Sequence, residues 1–239
     1  MGSSALSSPD TKTIQSFFNA IPERYDFLNS FLSFSLDRAW RKRLVREALS
    51  SAGNIESVLD IGVGTGASLQ AFLKANCFKF AVGCDFSEGM LRVAKEKIKG
   101  AALFTADLHE LPFSNESFEL VTSSFVLRSV RQMERFLCEV KRVLKKGGKF
   151  AFLDLTRPQN TFFWNLIYRP YLAFYLPLVG KMVSKHPQAY QFLSQSIQTF
   201  IDPQDLKKKM EQAGFNSVEI KPHSFGVATV FLGVKGNDR

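Results

Sequence analysis

Between residues 57 and 155, short apolar runs alternate with helix-length segments, and this alternation limits the available folds more than any other feature of the chain. The runs at 57–61, 80–84, 102–105, 118–122 and 149–153 are strand-length. Helical periods fill the gaps at 67–74, 88–97 and 133–144. In the last of these, Met133, Phe136, Leu137, Val140 and Leu144 recur at i, i+3, i+4, i+7 and i+11. Lys145-Lys146-Gly147-Gly148 then supplies the cations and glycine that end a helix. Such alternation predicts a parallel sheet covered by helices on both faces. Further on, Asp202-Pro203 opens a helix that buries Leu206, Met210 and Ala213 and stops at Gly214. Strands at 217–220 and 227–234 follow. The few residues joining them dictate antiparallel pairing, because a parallel crossover needs a longer connection. The expectation is an α/β sheet of seven strands, mostly parallel, with a C-terminal antiparallel hairpin. With no repeat or linker in sight, residues 13–239 read as a single domain behind a Ser-rich, mobile tail at 1–12. Residues 13–50 form a helical cap and 157–200 an aromatic-rich insertion before the last helix.

A chain of 239 residues buries a full core without disulfides or a structural metal. Cys77, Cys84 and Cys138 form no CxxC pair and no cluster with histidine, which argues against a disulfide framework or a zinc site. They read as small buried hydrophobes in a reducing compartment. The net charge of +9 suits a polyanion, either nucleic acid or an anionic membrane face. Twenty-four Phe against 2 Trp and 5 Tyr suits a large core or an apolar ligand pocket. The N-terminus has no apolar run of a secretory signal. The most apolar stretch, 162–183, is broken by Arg169, Pro170, Pro177 and Lys181, so it does not read as a membrane span. The expectation is a cytoplasmic chain that, where it meets a membrane, rests on its face.

Asp60-Ile61-Gly62-Val63-Gly64-Thr65-Gly66-Ala67 lies at the first strand-to-helix turn. Glycines there let a backbone approach a ligand, and the helix start offers free N–H groups. Gly62, Gly64 and Ala67 also satisfy the dinucleotide pattern, so the loop alone fits NAD, or merely packs helix on strand. Asp85, at the end of the second strand, is placed to accept both ribose hydroxyls of a nucleoside. Capping the next helix is the alternative for Asp85 or Ser87. Asp107 ends the third strand, where an adenine edge would lie. His109, His186 and His223 have no sequence context that makes them a base.

These motifs, with Leu111-Pro112-Phe113 and Leu144-Lys-Lys-Gly-Gly148, resemble class I S-adenosylmethionine-dependent methyltransferases, and more narrowly the C-methyltransferases of ubiquinone and menaquinone biosynthesis. That family carries YDxMN…SxGxxRxWK near its N-terminus; here it stands as Tyr25-Asp26-Phe27-Leu28-Asn29 and Ser33 to Arg41. Its second signature appears as Leu111 to Ser129. Tyr190-Gln191-Phe192-Leu193, Ser196-Ile197 and Phe225 to Lys235 also match, so the likeness runs from about residue 17 to 235. Ser35, Lys146, Val126 and Ser129 depart from the family pattern, standing for Gly, Pro, Gly and Asn.

The resemblance implies a Rossmann-like class I methyltransferase sheet, S-adenosylmethionine as methyl donor and no metal. It implies donor contacts from Gly62, Gly64, Thr65, Asp85, Asp107, Leu108 and Ser124. Arg128 matches the family's arginine near the reacting ring, where a guanidinium would stabilise a phenolate. The implied reaction is C-methylation of a polyprenyl quinol, demethylmenaquinol ahead of a 2-methoxy-6-polyprenyl-benzoquinol. Tyr25, Ser129, Trp164 and Phe174 are the substrate candidates. The insertion's aromatics, including Phe162 and Phe163, suit a tail pocket, a membrane-facing patch or a homodimer surface. Arg38, Arg41, Lys42, Arg43 and Arg46 read as a solvated helix face. A nucleic-acid methyltransferase would carry an Asn/Asp-Pro-Pro-aromatic tetrapeptide after the fourth strand, where Ser123-Ser124-Phe125-Val126 stands instead, so no nucleic-acid partner is expected. A non-catalytic lipid-binding module on the same fold is the remaining alternative.

Overall fold

The computed structural model describes residues 22–50, 54–176, 178 and 187–236. The expected tail at 1–12 and the first part of the cap lie outside the described residues. The elements are α1 (Pro22–Leu32), α2 (Leu36–Leu49), β1 (Ser57–Ile61), α3 (Ala67–Ala75), β2 (Phe80–Asp85), α4 (Glu88–Lys97), β3 (Ala102–Thr105), β4 (Phe118–Ser124), α5 (Met133–Val143), β5 (Leu144–Leu155), α6 (Pro187–Thr199), α7 (Pro203–Gln212), β6 (Phe215–His223) and β7 (Ala228–Lys235). Short helical turns add Leu127–Ser129, Ser224–Gly226 and the insertion at 161–175.

Seven strands form one sheet in the order β3-β2-β1-β4-β5-β7-β6. The five strands β1 to β5 pair parallel, while β7 runs antiparallel to both β5 and β6. The two-residue period of the central strands sorts their side chains into two layers. Leu59, Val121, Phe150, Phe152 and Phe231 face α5 and α7, in a cluster with Phe136, Leu137, Leu206 and Met210. Val58, Leu120, Ala151, Leu153 and Val230 face the other way, onto Trp40, Leu44, Leu69, Phe72 and Leu91 of α2, α3 and α4. Much of the phenylalanine is spent on the first layer. Phe150 lies 4.9 Å from Phe152 and 5.9 Å from Phe215, ring centre to ring centre, and Phe152 stacks on Phe231 at 4.6 Å.

Element ends differ from the sequence expectation where pairing overrides local pattern. Helix α5 stops at Val143, and Leu144 already pairs with Phe118, so the Lys-Lys-Gly-Gly segment is a bulge within β5 rather than a helix end. Strand β6 runs to nine residues because β7 offers partners at both its ends, across a register shift at Ser217 and Val218. The cap and the insertion share a third cluster, Leu32 with Trp164, Tyr168, Leu172, Leu176 and Ile197, separate from both sheet layers. Within the insertion the helix widens to i→i+5 turns on either side of Pro170, which lacks the N–H that a regular turn needs. Among the described residues, no helix is long and apolar enough to cross a membrane.

Candidate functional site

The C-terminal ends of β1, β2 and β4 open into a cleft that encloses about 750 Å³ of space, open solvent included. Ile61 to Thr65, Ala67, Ser68, Cys84 to Phe86, Met90, Ala106, Leu108, Ser124 to Val126, Ser129 and Arg41 line it. Sheets of this kind bind ligands here, because the strand order reverses on either side of β1 and leaves a crevice between the flanking connections.

The glycine loop divides its work. A Cβ at Gly66 would collide with Ile98, and one at Gly62 with Val126, so these two allow close packing. Gly64 has φ +54 and open space where a Cβ would stand. It lines the cleft, so the loop does more than pack a helix on a strand. Asp85 is buried, and its carboxylate accepts backbone N–H groups on both oxygens, Oδ2 from Gly64 at 2.8 Å and Oδ1 from Ser87 at 2.9 Å. Burial pushes its pKa up, while the N–H groups of Ser87, Gly64 and Phe86 oppose that rise. The helix cap is Ser87, whose hydroxyl accepts the Met90 N–H at 3.2 Å. Asp85 is therefore free of that duty, and its carboxylate has more acceptor sites than these N–H groups use. Cys84 forms the wall beneath, and burial drives its thiol pKa far up, so it stays neutral. These residues fit a nucleoside: a fixed acceptor carboxylate, an approachable backbone, and apolar walls at Val63, Met90 and Leu108.

Thr65 and Ser124 also line the cleft, but each is tied to a neighbour. Thr65 donates its hydroxyl to Asp26 of α1 at 2.5 Å, and Lys97 holds the other Asp26 oxygen at 2.6 Å. This latches the cap over the glycine loop. Ser124 accepts from Ser68 at 2.9 Å. Asp107 departs from expectation, because its side chain is 69% exposed and turns into its own loop. There it accepts the backbone and ring N–H groups of His109, which outweigh burial and lower its pKa. Ala106 and Leu108 supply the wall in its place.

The ring-side candidates separate as well. Ser129 lines the cleft. Arg128 is not on the cleft wall; its side chain is buried against the fully buried Asp154 at the end of β5, which pairs with its Nε, and its Nη1 donates to Ser196 of α6 at 2.8 Å. The reason is electrostatic: a carboxylate withdrawn from water needs a cation beside it. The third nitrogen, Nη2, makes no hydrogen bond to a described residue. Trp164, 5% exposed, is part of the cap–insertion cluster with the Arg157 guanidinium 4.8 Å from its ring, while Phe174 is 75% exposed. Neither reaches the cleft. Tyr25 sits on α1, with its side chain outside the described residues. Sequence reasoning missed Asp154 and Ser68. It also misread Arg41, which turns inward while Arg38, Lys42, Arg43 and Arg46 stay exposed. The one available signal was that Arg41 closes the N-terminal signature.

No group of three or more His, Cys, Asp or Glu that could hold a metal occurs among the described residues. Similar solved structures share the fold at low identity. One is a putative methyltransferase in complex with the Haloferax volcanii Trm112 activator (16% identity, TM-score 0.63, 92% of this chain and 99% of that one). Another is a Haemonchus contortus phosphoethanolamine N-methyltransferase solved with S-adenosyl-L-methionine (16%, TM-score 0.60, 82% and 52%). The demethylmenaquinone methyltransferase of Thermotoga maritima is 37% identical over 90% of this chain and 93% of its own length. The profile of the ubiE/COQ5 methyltransferase family matches residues 6–235. The chain belongs to that family and is an S-adenosylmethionine-dependent methyltransferase.

Proposed function

We propose that this enzyme methylates a ring carbon of a polyprenyl quinol, with demethylmenaquinol as the acceptor. The observation that carries the reading is near-full-length similarity to relatives named for that reaction, such as the Thermotoga maritima protein at 37% identity. The bound donor supplies an electrophilic methyl group on a sulfonium that leaves as a neutral thioether. Asp85 and the backbone at Gly62 and Gly64 hold its nucleoside, with Thr65, Ser124 and the 107–108 segment completing the contacts. A quinol carbon becomes nucleophilic when the neighbouring hydroxyl gives up its proton, so the chain's task is to favour the ring oxyanion. Arg128 does this with Nη2, while Asp154 and Ser196 fix the plane of its guanidinium. Ser129 lines the cleft on the ring side, and Tyr25 is carried by α1 of the cap. The protein aligns carbon, methyl and sulfur and keeps water out; the quinol is restored when the methylated carbon loses its proton and the ring oxygen takes one up.

The insertion and the cap serve the substrate's tail. Exposed aromatics gather there: Phe34 stacks on Tyr175 and Phe163 packs against Phe225, itself 80% exposed. Phe27, Phe162 and Phe174 are bare too. With the exposed Arg157 and Arg169 beside them, these residues suit a bilayer face with anionic headgroups, from which the acceptor is taken. Transfer of labelled methyl to matched tailed naphthoquinol and benzoquinol acceptors tests the reading. Faster naphthoquinol methylation supports it; methylation of neither ring by protein that binds the donor overturns it.

A further inference from the structure

One cation of the cap helix behaves unlike its neighbours. Helix α2 buries Trp40, Leu44, Val45 and Ala48 against the sheet, and Arg41 lies at the rim of that stripe. Its side chain is 11% exposed and reaches into the wall of the donor cleft. The guanidinium lies over the Phe125 ring at 4.8 Å. Nη1 donates to the Ser68 hydroxyl, which donates on to Ser124. The opposite edge is unspent. Nε is buried with no hydrogen-bond partner, and the nearest carboxylate oxygen of Asp37 stands 3.9 Å away. Asp37 takes the hydroxyls of Ser30 and Ser33 on its other oxygen, Oδ1, each at 3.1 Å. A buried guanidinium donor left unmatched is unfavourable, so this edge is shaped for an acceptor that arrives in the cleft.

Position tells which acceptor. Strands β2 and β4 flank β1, so Asp85 and Ser124 stand two strand spacings apart, about 10 Å. With the ribose at Asp85, the methionine chain of the donor runs along the glycine loop toward Ser68, Ser124 and Arg41. Its far end carries a carboxylate, and an Nε/Nη2 edge matches a carboxylate with two parallel hydrogen bonds.

We propose that Arg41 binds the α-carboxylate of the donor's methionine moiety, so that the cap helix forms part of the donor site. This rests on the donor assignment of the cleft and is independent of which ring is methylated. In that arrangement the cap does more than cover the acceptor, because removing it also removes the donor's carboxylate anchor.

Calorimetry with three nucleosides tests it: S-adenosylhomocysteine, its decarboxylated analogue and 5′-methylthioadenosine. Against the wild type, Arg41→Gln should weaken S-adenosylhomocysteine roughly ten- to hundredfold, and leave the other two ligands within about twofold. Arg41→Lys keeps the charge without the fork and should fall between; if the Gln variant does not fold, the Lys variant carries the test. Lys42→Gln, on the exposed face beside it, should change nothing. Equal losses for all three ligands in the Arg41 variants would make Arg41 a structural residue and overturn the proposal. So would a wild type that binds the homocysteine nucleoside no better than the decarboxylated one. A wild type that binds none of the three overturns the donor assignment instead, a different failure.

Discussion

The sheet and the shell of cap plus insertion are built on different terms. The sheet buries two continuous apolar layers, one on each face. The cap helix α2 shares the second layer through Trp40, Leu44, Val45 and Ala48, whereas α1 and the insertion, among the described residues, have a smaller cluster of their own and polar ties to the rest. Those ties are Asp26 to Thr65 and Lys97, the Tyr171 hydroxyl to the Leu32 carbonyl at 2.6 Å, Trp40 to Ser224 at 2.9 Å, and Arg128 to Asp154 and Ser196. In the function proposed above, the donor's nucleoside falls to the first region and the acceptor's tail to the second. On that reading the sheet holds the donor and the shell meets a bulky, apolar acceptor. Arg128 and Arg41 are where the two halves meet.

The largest effect is expected at that junction. Arg128→Ala removes the cation from the fully buried Asp154, which costs about 3–5 kcal/mol, and removes the oxyanion partner, which should lower kcat by on the order of a hundredfold. The double variant Arg128→Ala with Asp154→Asn separates the two losses. Thermal denaturation should show stability regained while kcat stays low, and raising the pH should recover part of the activity by supplying the phenolate. If kcat returns with stability, Arg128 holds the shell in place and does nothing to the ring.

Next is Trp164, which tests whether the shell is a separate unit. Trp164→Ala opens a cavity in a small cluster and should cost about 3–5 kcal/mol. Hydrogen exchange should report that loss in 161–176 and 187–199, with donor affinity in the sheet nearly unchanged. A loss spread evenly through the sheet would erase the distinction between the two regions.

This division also governs what the sequence could reveal. The sheet was legible because its strands and helices keep strict periods over many residues, down to the antiparallel hairpin at the end. Gly62, Gly64 and Asp85, which line the cleft, were legible as candidates because one loop and one strand end carry them, whereas Thr65 and Ser124 were named through the family resemblance alone. Trp164 was not, since an aromatic-rich helix without a clean polar face reads the same whether its rings line a pocket or a core. Arg41 was lost in a basic run, because only the course of its helix past Ser68 and Phe125 turns it inward. Asp154 is 26 residues from Arg128, and nothing local to either announces the pair.

A smaller effect is expected from pH, inside the sheet itself. Asp60 lies at the end of β1 with neither oxygen hydrogen-bonded. Burial raises its pKa from 3.8 to about 7; the nearby Arg41 opposes the rise and Asp85 adds to it. The folded state therefore favours the protonated acid. Its contribution is fully present below pH 3.8 and lost as pH rises through about 7, at most roughly 4 kcal/mol. Asp60→Asn should flatten the fall in stability across that window, leaving the slope of Asp85, which has the same sign. An unchanged profile would mean that Asp60 stays ionised against Arg41.

The smallest change in stability, and the most selective one in function, is expected at Phe174. Its ring is bare, so Phe174→Ser removes little from the fold, within about 0.5 kcal/mol. If the exposed face of the shell meets a bilayer, the same substitution removes apolar surface that the lipid would cover. A fully buried Phe is worth about 1.5–3 kcal/mol, and a ring that only reaches the headgroup boundary gives part of that, so binding to vesicles should weaken several-fold. Phe162→Ser should behave alike and add to it, and raised salt should weaken binding further by screening Arg157 and Arg169. Activity on a short-tailed quinol in detergent should stay at the wild-type rate, while KM for a long-tailed quinol presented in vesicles rises. Trp164→Ala must give the opposite signature, a stability loss without a selective loss on vesicles, because its ring faces inward. Cosedimentation with vesicles of anionic and neutral lipid, run beside both assays, decides between them. Equal loss on tailed and tailless substrates would place Phe174 in the acceptor's path rather than at a surface, and unchanged sedimentation would leave that face to a partner other than lipid.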